Sequence, residues 1–259
     1  MMTIQHRNRM KLLRNAIGAL FVCAFGLPAI ALAQARQPAP TIVSDRPGLG
    51  DGAHVLAPGV VQGEFGGTIH AQASDDFLVG SSLLRYGFDA FELRVFVPDV
   101  VSLHAGEFLR LGDVGVGAKF PLDFGGGWQW AGSGAFTLPT GAHSLTADDP
   151  GLGATLLAER GLTPTVGLAI NTGYNFLFAD VGGGTLSFLA TPTFALSGRE
   201  GTSLYAGYAL YVQRGDDAHF IEGGLTRADG PDRQWDVNAG YDPGAHVWFL
   251  GVGVAARWR

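Results

Sequence analysis

The last part of the chain alternates between apolar residues and small or charged ones. Between Trp248 and Trp258 every second residue is apolar, and most residues between them are glycine, alanine or Arg257. A period of two is typical of a β-strand with two unlike faces. Aromatic residues at both ends of the apolar face match the two girdles of a transmembrane β-barrel. The pattern predicts a strand with one face in lipid; a strand of a soluble β-sandwich is the alternative.

The same alternation recurs through most of the chain. It gives about twelve strands, near residues 60–71, 78–86, 89–98, 110–121, 127–138, 151–160, 163–175, 184–196, 202–213, 217–228, 233–241 and 246–258. A tilted strand needs ~9–11 residues to cross the hydrocarbon, whereas the strands of soluble proteins average ~5–6. The sequence therefore predicts an all-β fold, an antiparallel transmembrane β-barrel of about twelve strands, with ten and fourteen left open.

A basic stretch at the start of the chain precedes an apolar run that ends in Ala31-Leu32-Ala33. This order is typical of a secretory signal peptide, because the run is shorter than the ~20 residues of a membrane helix, which is the alternative. We expect cleavage after Ala33. The expected divisions are a signal peptide (1–33), a polar N-terminal periplasmic lead (34–57) and an outer-membrane β-barrel (58–259).

Composition limits the chemistry of the mature chain. The only cysteine, Cys23, lies in the expected signal peptide, so disulfides, thiol catalysis and thiolate metal sites are excluded. The chain is 47% hydrophobic but only 15% charged, and 40 glycines argue against long helices. A formal net charge of −6 argues against nucleic acid as a partner.

The alternation also assigns charged residues to the inner face of the barrel. The expected lumen residues are Glu64, Arg85, Glu92, Arg94, Asp113, Lys119, Glu159, Glu222, Asp236 and Arg257. Charges inside a narrow barrel must pair with opposite charges or meet water. A structural network of salt bridges is the favoured interpretation, and a polar constriction that limits the size and charge of solutes is the other.

The polar segment before the first strand has two interpretations. Asp45 and Arg46 could fold back as an N-terminal plug whose charges meet lumen residues, or the segment could be an ordered periplasmic lead. We favour the lead, because Pro47 and Gly48 resist regular strand pairing.

The sequence predicts no catalytic residue, no cofactor and no metal site. His70, His143, His219 and His246 fall near expected external strand ends, but their spacing matches neither a metal site nor a hydrolase motif. Acidic pairs at 75–76, 148–149 and 216–217 could hold cations that bridge lipopolysaccharide, although solvated loop charge is favoured. We therefore predict that the chain is not an enzyme; a lipid-modifying barrel enzyme is the less favoured alternative.

Several motifs resemble those of a known family. The segments are Ser44-Asp45-Arg46-Pro47-Gly48, Leu84 to Val95, Gly112-Asp113, Gly117-Ala118-Lys119 and Leu138-Pro139-Thr140-Gly141. They are similar to the phenol-degradation MetA-pathway family of outer-membrane β-barrel transporters. The resemblance implies a barrel in the outer membrane of a Gram-negative bacterium that passes small aromatic or apolar solutes. It supplies no catalytic residues.

Two functional classes follow from the sequence. The favoured one is a passive transporter or channel for small, aromatic or apolar solutes, and the alternative is a structural or adhesive barrel that acts through its loops. The expected partners are outer-membrane lipids, lipopolysaccharide and such solutes, with no nucleic acid. The identity of the solute and the oligomeric state stay open.

Overall fold

The structure is a computed structural model that describes residues 41–46, 48–71, 76–102, 110–143, 145–178, 183–214 and 216–259. The expected signal peptide, 1–33, lies outside the described residues, as does the start of the expected lead. Within the described ranges there is no helix of the length and apolarity that a membrane crossing requires.

The described chain forms one antiparallel sheet. Its strands are β1 (Val61–Ala71), β2 (Asp76–Gly87), β3 (Glu92–Ser102), β4 (Arg110–Leu111), β5 (Val114–Leu122), β6 (Gln129–Leu138), β7 (Gly151–Thr163), β8 (Val166–Leu177), β9 (Gly184–Ala195), β10 (Thr202–Gln213), β11 (Asp216–Ala228), β12 (Arg233–Asp242) and β13 (Val247–Trp258). The short β4 and the longer β5 both pair with β3, so together they form one wall element that is interrupted at 112–113.

The sheet closes on itself. Strand β13 pairs with β1 along the full length of β1, from Val61 opposite Trp258 to Ala71 opposite Trp248. Strand β2 pairs with both β1 and β3, which completes the ring. Within the described ranges, each long strand is therefore paired on both edges, as a lipid-embedded sheet requires. The predicted antiparallel barrel of twelve long strands is confirmed.

The outer face is apolar, and its register is the predicted one. On β13, Trp248, Leu250, Val252 and Trp258 are 54–61% exposed, whereas the intervening Arg257 is only 7% exposed. Other outward side chains, such as Ile221, are also large and exposed. The alternation therefore continues around the wall.

The connections between the strands lie at the two ends of the barrel. At the end where β1 begins, here called the turn end, the connections run over 88–91, 123–128, 164–165, 196–201 and 229–232. At the opposite, loop end, the longest described connection is 139–150, where Asp113 accepts hydrogen bonds from the Gly141 and Ala147 N–H groups at 2.8 and 2.9 Å. In transmembrane barrels of bacteria the short turns are periplasmic.

A pair of substitutions on β9 tests this register. Ala190 is exposed on the outer face, and the adjacent Thr191 lines the lumen. Ala190→Arg should reduce the free energy of folding into lipid vesicles by ~2–4 kcal/mol, because it places a cation near the middle of the bilayer. Thr191→Arg is the matched control and should fold nearly as well as the parent. Equal losses in urea titrations of the two variants would contradict the register.

Candidate functional site

The described part of the expected periplasmic lead does not stay outside the barrel. Residues 41–46 and 48–57, here called the inner segment, contact inward-facing side chains of at least eight wall strands, β1, β2, β3, β5, β7, β8, β11 and β12. The segment pairs with no strand, as its proline and glycines predicted. It is held instead by wall side chains, which is the arrangement of the less favoured, plug interpretation.

Asp45 is the centre of the ion pairs inside the barrel. Its Oδ2 atom pairs with Arg94 Nη1 and lies 2.7 Å from Lys119 Nζ and 3.5 Å from Arg85 Nη1. All four side chains are at most 3% exposed. Burial opposes ionisation of Asp45, but Arg85, Lys119 and Arg94 outweigh it and hold the pKa of this carboxyl well below its usual range.

Arg85 links this centre to two wall carboxylates. Its Nη1 atom lies 2.7 Å from Glu64 Oε1, and its Nε atom lies 2.7 Å from Glu92 Oε1. A second bond from Arg85 Nη2 to Glu92 Oε2, at 2.8 Å, makes that contact bidentate. The three side chains are at most 1% exposed, so their geometry is fixed by packing as well as by charge.

Four wall carboxylates accept hydrogen bonds from backbone N–H groups of the inner segment. These bonds join Arg46 to Glu64 at 3.1 Å, Leu49 to Glu222 at 2.8 Å, Ala53 to Glu159 at 3.2 Å and Leu56 to Glu92 at 2.9 Å. Each carboxylate therefore accepts a backbone N–H that, in a regular β-sheet, the carbonyl group of a neighbouring strand would accept.

Wall donors bind the carbonyl oxygens of the same segment. Gln62 binds Val43 at 2.9 Å, Gln234 binds Arg46 at 3.0 Å, Asn171 binds Asp51 at 2.8 Å, Lys119 binds Gly52 at 2.9 Å and Arg85 binds His54 at 3.2 Å. These polar backbone groups are satisfied without any secondary structure.

Glycines let the segment and the wall approach each other. A Cβ atom on Gly66 or Gly253 would stand 2.2–2.3 Å from the Arg46 guanidinium, which occupies the notch that these two glycines leave. On the segment, a Cβ atom on Gly50 would stand 2.3 Å from Asn171 Oδ1. A side chain at any of these positions would displace the Arg46 guanidinium or the Asn171 amide from its present place.

Most of the sequence-predicted lumen residues converge on the inner segment. Eight of them contact it: Glu64, Arg85, Glu92, Arg94, Lys119, Glu159, Glu222 and Asp236. Arg257 instead binds Asp232 at 3.0 Å at the turn end, and Asp113 binds the connection at the loop end. The wall amides Gln62, Asn171 and Gln234 were missed, because only charged inward positions were taken as candidates.

The inner segment fills the lumen unevenly. The ion pairs lie along β1, β2, β3 and β5, whereas a cavity of about 240 Å³ remains between the segment and the inner faces of β7 to β12. Its walls carry the hydroxyl groups of Thr191, Thr193, Ser203 and Thr226 and the carboxylates of Asp51, Glu159 and Glu222. Arg46 also lines this space, and Asp51 pairs with Arg94 at 3.0 Å, so the open side of the lumen is polar and carries groups of both signs.

Comparisons with known proteins agree with this architecture. The family described as "Putative MetA-pathway of phenol degradation" matches residues 44–258. No curated protein sequence matches the chain significantly. An outer-membrane channel from Pseudomonas putida F1 superposes with a TM-score of 0.62 at 13% identity, over 82% of this chain and 99% of that one.

Two porins are also similar in structure. The KdgM porin, solved in complex with disordered oligogalacturonate, has a TM-score of 0.57 at 10% identity, over 76% of this chain and 99% of its own. The NanC porin has a TM-score of 0.56 at 10% identity, over 75% and 98%. At these identities the likeness establishes the fold, which is that of outer-membrane channels.

Removal of one charge should release the inner segment. Asp45→Asn leaves Arg85, Arg94 and Lys119 without their shared partner, and loss of one member of a buried pair costs about 3–5 kcal/mol. Hydrogen exchange of the amides of 48–57 should accelerate while the barrel amides stay protected. Asp51→Asn is the comparison, because it removes one ion pair, that of Asp51 with Arg94 at 3.0 Å, from a side chain that is 36% exposed, and should lose only about 0–1 kcal/mol. Equal acceleration of amide exchange in both variants would contradict the central role of Asp45 in holding the segment.

The attachment of the inner segment should weaken in acid. Burial, followed by the charge of Arg85, lowers the pKa of His54 from 6.5 to about 4, although Glu92 and Asp45 act in the opposite direction. A group with a lowered pKa in the docked state favours docking above its ordinary pKa and loses that effect as the pH falls. The protection factors of the amides of 48–57, which are corrected for the intrinsic pH dependence of exchange, should therefore fall between pH 6.5 and pH 4. His54→Gln should flatten this dependence, and an unchanged slope in that variant would refute the assignment.

Proposed function

The chain belongs to the MetA-pathway phenol-degradation family, and we propose that it is a passive outer-membrane channel for small solutes whose lumen is narrowed by its own inner segment. One observation carries the proposal: a closed barrel with an apolar outer face encloses a polar, hydrogen-bonded lumen that is not completely filled. A barrel that served only as a scaffold would need no open, polar space inside.

The inner segment would act as a plug that sets the size of the passage. It is fixed to opposite sides of the wall, by Asp45 on the side of β2, β3 and β5 and by the Leu49 amide on β11. A solute would therefore pass beside the docked segment. The remaining space admits small molecules, and larger ones would require the segment to move.

The charge of the open side limits the class of solute. Asp51, Glu159 and Glu222 line the cavity, as does Arg46. Asp51 pairs with Arg94 at 3.0 Å, whereas Glu159 and Glu222 accept hydrogen bonds from neutral backbone N–H groups of the segment. Polyanions such as the oligogalacturonate in the KdgM complex would be repelled by these carboxylates. Small uncharged solutes, single-ring aromatics among them, fit the proposal better.

The proposal includes no enzymatic reaction. On the outer face, His219 Nδ1 lies 2.7 Å from the Tyr208 hydroxyl, and His246 Nδ1 lies 2.9 Å from the Tyr241 hydroxyl. These histidines are thus engaged with tyrosines rather than with a serine nucleophile. Such aromatic and polar pairs suit the interface between lipid and water.

Reconstitution tests the channel directly. Purified protein in planar bilayers should give small, discrete conductance steps, and liposomes that contain it should take up phenol faster than a neutral disaccharide, relative to protein-free liposomes. Asp45→Asn should raise the conductance, because the released segment leaves the lumen wider. The absence of both conductance and uptake in the parent and in this variant would end the channel proposal.

A further inference from the structure

We propose that a groove on the outer face of β1, β11, β12 and β13 is a binding site for one glycerophospholipid of the periplasmic leaflet. Arg227 binds the phosphate of this lipid, and an apolar trough beside Arg227 holds one acyl chain. The site depends on the barrel and on its place in the outer membrane, and it is independent of the proposed channel function.

The register of the four strands arranges the outward residues of the groove in two rows. Residues directly opposite one another form the first row, which is Arg227, Trp235, Val254 and Phe65. The second row, farther from the turn end, is Leu225, Val237, Val252 and Gly67. Together they line a groove of about 620 Å³, which is within the ~300–1,000 Å³ range of ligand pockets. Arg227 carries the only charge in the two rows, so the groove has one polar end.

Aromatic side chains form the sides of the groove. Trp235 and Phe65 are exposed, and the smaller, half-buried Val254 lies between them as the floor. A Cβ atom on Gly63 would stand 2.8 Å from Phe65 Cε2, so the Phe65 ring leans over Gly63, toward the turn end. The ring therefore leans away from Gly67, and the lack of a side chain at Gly67 leaves the trough open toward the middle of β1.

Arg227 supplies a cation that no described residue neutralises. Its side chain is exposed on the outer face, and its guanidinium forms neither an ion pair nor a hydrogen bond within the described ranges. The neighbouring Arg233, in contrast, lies 3.8 Å from Asp229. A cation on a lipid-facing wall is tolerated close to the interface, where it reaches the lipid head groups. A guanidinium group binds phosphate through two parallel hydrogen bonds, so a phosphate matches Arg227 in charge and geometry.

The position of Arg227 determines which lipid can supply the phosphate. Arg227 precedes Ala228, the last residue of β11, at the turn end, and short turns of bacterial barrels are periplasmic. Glycerophospholipids form that leaflet of the outer membrane, whereas lipopolysaccharide forms the opposite one. Gly67, at the other end of the trough, lies in the middle of β1 (Val61–Ala71). Adjacent strands are ~4.8 Å apart, so the trough is ~14 Å long across the four strands. It runs from the interface into the hydrocarbon, as an acyl chain does.

Native mass spectrometry tests the site on the folded, mature protein in detergent micelles. In a titration with dioleoylphosphatidylglycerol, one lipid molecule per barrel should bind before any further ones. Dioleoylglycerol, which has the same acyl chains but no phosphate, should bind about tenfold more weakly, the effect of one charge-assisted hydrogen bond. Equal affinity for the two lipids would contradict a phosphate site.

Two arginines at the turn end supply a matched pair of variants. Arg227→Gln removes the cation beside the trough and should weaken binding of the phosphatidylglycerol about tenfold, while the weak binding of dioleoylglycerol stays the same. Arg233→Gln removes an exposed cation that does not line the groove and should leave the binding of both lipids unchanged. Equal weakening in the two variants would overturn the proposal, because it would indicate a general attraction of the turn end for anionic lipid.

A second pair of variants fills the trough and leaves the cation in place. Gly67→Phe should fold, since Gly67 has no positive φ and faces lipid, and its ring should abolish the binding of the first lipid. Ala190→Phe adds the same ring to the outer face of β9, away from the groove, and should bind lipid as the parent does. Parent-like binding by Gly67→Phe would refute the site, because the lipid would then bind elsewhere.

The same spectra distinguish a lipid from a second copy of the chain in the groove. A dimer without bound lipid, which Gly67→Phe converts to a monomer, would overturn the proposal in favour of a protein interface. If the parent conducts ions in planar bilayers but binds no lipid in the titration, the lipid site is refuted and the channel stands.

Discussion

The negative charge of Asp45 is the constraint on which the interior of the barrel depends. Arg85, Arg94 and Lys119 all lie within ion-pair distance of its carboxylate, and all are buried. Glu64 and Glu92 neutralise part of this positive charge from the wall. Because isolated buried charges cost several kcal/mol each, the wall and the inner segment stabilise one another. Without the inner segment, the inward charges of the wall would lack their partners, and without the wall the charges of the segment would lack theirs.

The backbone of the inner segment explains why the wall carries so many carboxylates and amides. Irregular backbone at membrane depth is tolerated only where protein or water satisfies its polar groups. Here Glu159 and Glu222 accept N–H bonds, and Asn171 donates to a carbonyl oxygen. The sequence suggested either a network of salt bridges or a polar constriction. Both interpretations apply in part, because the same side chains form ion pairs and hold the segment that narrows the lumen.

The strands and their register were predictable because, in a barrel wall between lipid and lumen, apolar outward residues alternate with small or polar inward residues along every strand. The strand at 202–213 was predicted with the bounds that it has, whereas the strand expected at 89–98 lies at Glu92–Ser102, since 88–91 turn through a Phe88–Phe91 bond. The inner segment follows no period. Its place depends on bonds between side chains and backbone that join residues as distant as Leu49 and Glu222, and such bonds leave no local pattern in the sequence.

The uneven filling of the lumen links its electrostatics to its passage. Arg85, Arg94 and Lys119 form ion pairs with Asp45 and the neighbouring carboxylates, so the net charge of the filled side is close to zero. On the open side, Glu159 and Glu222 accept hydrogen bonds from neutral amides. A solute that follows the open side therefore meets carboxylates and hydroxyls together with Arg46. The position of the inner segment thus determines both how wide the passage is and which charged groups line it.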